Sequence, residues 1–270
     1  MFPRFHRVRG WVKNVDFASK SALYYDSIAS RYDDHLAEDA WTRSSFHDLV
    51  LQHVSVGSLV LDFGCGTGTD SLWYAQQGLR VLACDISVGM IGELEKKCRS
   101  EIANGTIMPL QGEYETLLKL PLREKPSAVL CNFAVLSLIP DLGPAFEAFA
   151  DYLASGGLVI INSLNPLFWR ELASPWYWKY LIRSLGKGAV QTPGAECDTC
   201  RYFVRTMDDV AAPRFTRILQ ASVDAVLLRA QSRAQWREPT TFAHRMEKQL
   251  WKVPLLRGLG RYVFLVYRRC

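Results

Sequence analysis

At 270 residues the chain is long enough to bury one large α/β core with insertions, and its 49% hydrophobic content is that of a globular protein. Seven cysteines, scattered at 65, 84, 98, 131, 197, 200 and 270, form no disulfide framework and fit a reducing cytoplasm. The net charge of +5 resides at the ends: five Lys/Arg face one acid in residues 1–20 and ten face two in residues 229–270, so the body between is acidic, which argues against a long nucleic-acid groove. No apolar run approaches a membrane span, and the basic N-terminus lacks a continuous apolar segment of signal-peptide type.

Residues 1–20 read as a basic arm carrying Phe2, Phe5 and Trp11. From Ser21 a helical pattern places Tyr25, Ile28, Ala29 and Tyr32 on one face, and a second helix is expected from about Asp39 to His53. Leu59-Val60-Leu61 then reads as a buried strand that breaks into Asp62-Phe63-Gly64-Cys65-Gly66-Thr67-Gly68, before Leu72-Trp73-Tyr74-Ala75 opens a helix. Glycines at 64, 66 and 68 allow a ligand close to the main chain, with the first amides of the following helix directed at it. A second strand, Arg80–Cys84, ends on Asp85, whose carboxylate suits the two hydroxyls of a ribose. The spacing lacks the third glycine of a dinucleotide fingerprint, since position 69 is Thr69, and Thr69-Asp70-Ser71 lacks the lysine of a phosphate loop. Asp62 at the turn repels a pyrophosphate and favours an ammonium or sulfonium. A Rossmann-like turn holding a nicotinamide cofactor remains the alternative.

Here the residues resemble motif I of the class I S-adenosylmethionine-dependent methyltransferases, an apolar strand, D/E-x-G-x-G-x-G, then an acidic residue closing the second strand. Tyr25-Asp26-Ser27-Ile28-Ala29 through Tyr32-Asp33 is similar to the segment ahead of motif I in the small-molecule, ubiquinone/menaquinone-biosynthesis-like type, and Asp85-Ile86-Ser87 with Met90 to its "D-x-S-x-x-M". The resemblance implies S-adenosylmethionine as cofactor, held by Asp62, Gly64, Cys65, Gly66, Gly68 and Asp85. Ile86 and Met90 would lie on the adenine, with Glu113 in place of the more usual Asp beside Tyr114, Asn132 at the next strand end, and Tyr25 and Tyr32 closing the site. Amphipathic packing is the competing account of the two tyrosines, and packing alone also explains Ile86 and Met90.

Ser87 can cap a charged helix running to about Asn104, followed by strands at Thr106–Leu110, Ser127–Phe133 and Leu158–Asn162, with a helix at Leu142–Leu153. The Asn132-Phe133-Ala134-Val135 segment lacks the D/N-P-P-Y/F pattern of enzymes that methylate base or glutamine amides. At about 165–205 an insertion interrupts the alternation. Ser174 is placed to cap a helix Trp176–Leu185 on which Lys179, Arg183 and Lys187 fall four apart; it serves as a substrate lid, a lipid contact or plain packing. A helix at Thr206–Ala212, a strand within Ile218–Ala230, a basic helix at Arg233–Leu256 within a second insertion (231–258), and a final strand Arg261–Tyr267 complete the chain.

The alternating elements give an α/β, Rossmann-like, doubly wound sheet, and the resemblance implies seven strands, mostly parallel, with the last running antiparallel between the fifth and sixth. Helical insertions form a lid, and residues 21–270 make one domain. The expected function is methyl transfer to a small, hydrophobic or aromatic acceptor, such as a quinone precursor or lipid-like metabolite, by in-line displacement, without a metal. Alternatives are methylation of a polar metabolite or protein side chain, or a non-catalytic, cofactor-binding protein of the membrane surface. No catalytic residue is assigned: Tyr25, Tyr32 and His35 are candidates for a base, whereas His53 and His244 read as structural or exposed. The single Cys197-x-x-Cys200 reads as ordinary thiols in a loop. No nucleic acid is expected as partner. Peripheral contact with the inner face of a membrane is expected through the basic, aromatic ends and the helix at 175–187.

Overall fold

The computed structural model describes residues 14–117, 119, 124–193, 198–224, 249 and 258–270. In chain order these form α1 (Asn14–Ile28), a 3₁₀ stretch (Ala29–Asp39), α2 (Ala40–His53), β1 (Leu59–Phe63), α3 (Thr69–Gln76), β2 (Arg80–Asp85), α4 (Val88–Lys97), α5 (Arg99–Ala103), β3 (Ile107–Gln111) and α6 (Tyr114–Leu117). Then come β4 (Ala128–Cys131), a 3₁₀ turn (Val135–Leu138), α7 (Gly143–Tyr152), β5 (Leu158–Leu164), α8 (Trp169–Leu172), α9 (Pro175–Arg183), β6 (Ala189–Thr192), β7 (Thr199–Tyr202), α10 (Val204–Ala211), β8 (Phe215–Val223) and β9 (Tyr262–Arg269).

Seven strands make one sheet in the order β3-β2-β1-β4-β5-β9-β8, and β9 runs antiparallel to both neighbours, as the family resemblance implies. Period-two alternation divides each central strand between two apolar layers. Leu61, Leu82, Val129 and Val159 pack on one face with Phe146, Phe149 and Tyr267. Val60, Val81, Leu130 and Ile160 pack on the other with Phe46, Tyr74 and Phe264. Burial on both faces is what fixes the register of this sheet.

Several boundaries differ from the sequence expectation. The stretch read as an arm is helical from Asn14, because α1 begins inside it. The charged helix breaks at Cys98 into α4 and α5. Ser174 occupies the position before α9 but makes no side-chain cap bond. The insertion also contains the β6–β7 hairpin, unforeseen because its strands are four residues each and pair only with one another. It is anchored by the Tyr202 hydroxyl, which donates to the Ile139 carbonyl. Arg233–Leu256, save residue 249, and with it His244 and Trp251, lies outside the described residues, as do Phe2, Phe5, Trp11 and Cys197.

Candidate functional site

A cavity opens at the C-terminal ends of β1, β2 and β4, where an α/β sheet of this order leaves a crevice. Tyr25, Tyr32, Gly64, Gly66, Asp85, Ile86, Met90, Glu113, Tyr114 and Asn132 line it. The rest of its wall includes Ala18, Ser21, Phe133, Leu138, Ile139 and Pro140. The two glycines of the turn serve different ends. Gly64 has φ +76°, and a Cβ there would meet Val135 Cγ2 at 2.2 Å, so the turn and the segment after β4 touch backbone to side chain. Gly66 has φ +55°, and the nearest atom to its Cβ position is Tyr32 Cε1 at 3.8 Å, which leaves its main chain open to a ligand.

Asp85 closes β2 with one carboxylate oxygen accepting the Gly66 N–H and the other the Ser87 N–H, both at 2.9 Å. Each oxygen keeps a lone pair for a further donor. Burial pushes its carboxyl above the usual range, and the Ser87 and Gly66 amides oppose that rise. Ser87 caps α4 by accepting the Met90 N–H at 3.1 Å. Glu113 lines the cavity just past β3, the strand beside β2, with its carboxyl raised by burial and by neighbouring Glu115.

Asp62, Cys65 and Gly68, placed in the site by the motif, do not line the cavity. Asp62 is buried and accepts the Ser71 hydroxyl at 2.6 Å; burial, then the charge of Asp70, raises its carboxyl to about 7. Cys65 is buried in the layer beneath the turn, where burial drives its thiol well up. Gly68 has φ +80° and is required by α4, since a Cβ would lie 2.6 Å from Leu94 Cγ.

Asn132 lines the cavity, yet its side chain is engaged within the protein. Its Oδ1 accepts the Phe133 N–H at 2.8 Å and the Asn162 Nδ2–H at 2.9 Å, and its Nδ2 donates to Asp70 at 3.1 Å. The other oxygen of Asp70 meets His47 Nε2 at 2.7 Å and the Arg43 guanidinium. Burial works to raise Asp70, but Arg43 and His47 outweigh it and hold its carboxyl below the usual value. Arg43 also lies 4.4 Å from the centre of the Phe133 ring, and His47 stacks on Trp73 at 3.8 Å. Phe133 and Ala134 take φ of +48° and +60°, a left-handed corner that non-glycine residues keep only where the surroundings impose it. Arg43, His47, Asp70 and Asn162 carry no sequence signal, because they are spread over α2, α3 and β5 and each reads as an ordinary residue there.

The outer wall comes from the N-terminal elements. Tyr25 and Tyr32 meet edge to face with ring centres 6.2 Å apart. Burial, offset by Arg43, raises the Tyr32 hydroxyl, so it is a neutral donor and not a phenolate base near neutral pH. The side chain of His35 lies outside the described residues. His53 bonds the Leu49 carbonyl at 2.9 Å within its own helix, a structural role.

Residues 60–157 match the family model described as a methyltransferase domain. The chain is 26% identical over 256 residues to the demethylmenaquinone methyltransferase of Streptomyces avermitilis, covering 92% of each chain. It is 30% identical over 178 residues to the ubiquinone biosynthesis O-methyltransferase of Xylella fastidiosa, covering 62% of this chain and 69% of that one. In fold it is similar to the Burkholderia thailandensis 1,6-didemethyltoxoflavin-N1-methyltransferase, solved with S-adenosylhomocysteine, with a TM-score of 0.60 at 15% identity over 96% of this chain and 92% of that one.

Proposed function

Because this chain belongs to the class I S-adenosylmethionine-dependent methyltransferases, we propose that it methylates a small, hydrophobic or aromatic acceptor by in-line displacement. The observation that carries this reading is the part of the cavity wall made by the N-terminal elements and the segment after β4. Ala18, Phe133, Val135, Leu138, Ile139 and Pro140 are apolar, and Ser21, Tyr25 and Tyr32 bring hydroxyls. Among the described residues no Lys or Arg lines the cavity, which leaves a highly charged anionic acceptor without a countercharge from them. The relatives named for demethylmenaquinone and ubiquinone biosynthesis support an acceptor of quinol or phenol type.

The residues present fit the cofactor. Gly66 leaves main chain open to a ligand, and the Asp85 oxygens keep acceptor capacity for a ribose. Ile86 and Met90 supply apolar surface for the adenine, with Glu113 and Tyr114 at its edge. When bound, S-adenosylmethionine supplies a methyl group on a sulfonium whose positive charge disappears in the transfer. The protein's part is to orient the acceptor against the apolar wall, to exclude water, and to hold tyrosine hydroxyls near the acceptor as neutral hydrogen-bond partners.

The test is formation of S-adenosylhomocysteine by the purified protein with a panel of naphthoquinols, phenols and polar metabolites. Turnover with the apolar members, abolished in Asp85→Ala, is expected. Turnover confined to polar acceptors would overturn the reading.

A second reading, peripheral membrane contact, is favoured by the insertion. Trp176, Trp178 and Ile182 are 57%, 47% and 60% exposed on α9, beside the exposed Lys179 and Arg183. No helix among the described residues is long enough and apolar enough to cross a bilayer. Flotation with vesicles containing anionic lipid is expected to retain the wild type and to lose the Trp176→Ala/Trp178→Ala variant; equal retention of both would dismiss the contact.

A further inference from the structure

The segment ahead of the glycine turn contains two Tyr-Asp pairs, Tyr25-Asp26 and Tyr32-Asp33. Both tyrosines line the cavity, and both aspartates turn away from it to bind the protein on either side. Asp26 accepts the Ser87 hydroxyl at 2.6 Å and the Gly89 N–H at 2.8 Å, at the start of α4 immediately after Asp85 and Ile86. Close approach there depends on Gly89, since a Cβ would stand 3.1 Å from Ala29 Cβ and from Asp26 Cα. Asp33 accepts the Thr67 hydroxyl at 2.6 Å and pairs with Lys97 Nζ at 2.6 Å. Lys97 in turn reaches the hydroxyls of Thr67 and Thr69, on either side of Gly68.

Each fastening therefore ends on an element that also lines the cavity: one on the chain that follows Asp85, the other on the turn that contains Gly66. A long 3₁₀ stretch has poorer hydrogen-bond geometry than an α-helix and little stability of its own, so Ala29–Asp39 depends on such ties for its position. We propose that Asp26 and Asp33 are positioning residues that hold the Tyr25–Tyr32 wall over the cavity. The time a bound cofactor spends there is then set by these two fastenings as well as by its own contacts. The Asp26 arm binds a hydroxyl and a backbone amide; the Asp33 arm is an ion pair with the Asp33 side chain 45% exposed. Salt should loosen the second arm and spare the first.

This rests on the reading that the cofactor lies in this cavity, which binding of S-adenosylhomocysteine to the wild type and its loss in Asp85→Ala decide separately. The dissociation rate of S-adenosylhomocysteine is then measured by stopped flow at low and high salt. Each of Asp26→Ala and Asp33→Ala is expected to raise it about tenfold, the loss of a charge-assisted hydrogen bond. The double variant is expected at about a hundredfold if the two arms act independently. High salt should raise the wild-type rate and leave that of Asp33→Ala unmoved, whereas Asp33→Asn, which keeps the Thr67 bond, should fall between them. Should the double variant fail to fold by circular dichroism, Lys97→Met and Gly89→Ala disturb the same arms from the opposite side. Rates within twofold of wild type in the double variant, or in both of these, would overturn the proposal.

Discussion

The ends of β2 and β4 face the same cavity and are built by different physics. At β2 the carboxylate of Asp85 is met by two backbone amides, Gly66 and Ser87, from the turn beside it and the residues just after it. At β4 the side chain of Asn132 is fixed by Asn162 from β5 and by Asp70 from α3, and Asp70 by Arg43 and His47 from α2. The β2 end keeps acceptor capacity for a ligand; the β4 end uses its polar groups on one another and presents the Phe133 ring instead. A strand end whose carboxylate is held by backbone amides and keeps lone pairs can act as a receptor, whereas one whose side chain is engaged by other side chains acts as a wall.

Three substitutions can break or sharpen this contrast. The largest effect is expected at Asp70→Ala, which leaves the half-buried Arg43 guanidinium without its counterion and the buried His47 without its hydrogen-bond partner, and should cost about 3 kcal/mol in urea unfolding. Asp85→Ala should do the reverse, lowering affinity for S-adenosylmethionine about a hundredfold through the lost ribose contacts, with a smaller loss of stability, by titration calorimetry and melting. If Asp85→Ala destabilised the fold more than Asp70→Ala, the contrast would fail. The smallest effect should come from Asp62→Asn, read from the pH dependence of stability. The carboxyl of Asp62 is raised from 3.8 to about 7, so its contribution is fully present below the unfolded value and is lost as pH rises toward the folded one. Asp70, shifted downward, has the opposite sign: its contribution is present above 3.8 and lost as pH falls. Unfolding midpoints at pH 5 and pH 8 should show Asp62→Asn gaining on the wild type by on the order of 2 kcal/mol across that interval. A pH-independent difference would mean that Asp62 ionises in the fold as it does in the unfolded chain.

The same contrast marks what could be read from residues alone. The glycine turn and the Ser87 cap are legible because their geometry follows from neighbours in sequence, and the Asp85 strand end because an acidic residue there belongs to the pattern that the turn resembles. Asn132 was placed at the cavity for a sound reason, the end of an apolar strand, but the partners that engage its side chain are spread from Arg43 to Asn162. Asp62 showed the limit of motif reading, since its carboxylate is turned inward to Ser71 by a helix that the motif itself begins. The hairpin at β6–β7 was invisible because two four-residue strands buried by an insertion carry no long periodic pattern.

By itself the sequence determined the alternating strands and helices around the glycine turn, since apolar periodicity and glycine spacing act over a few residues; the strand order of the sheet came from the family that the turn resembles. Only the tertiary structure decided which polar groups remain for a ligand. Buried donors and acceptors must be satisfied by whatever the fold brings within hydrogen-bond reach, and for Asp70, Asn132, Asp26 and Asp33 those partners lie on other elements, at separations no local pattern encodes.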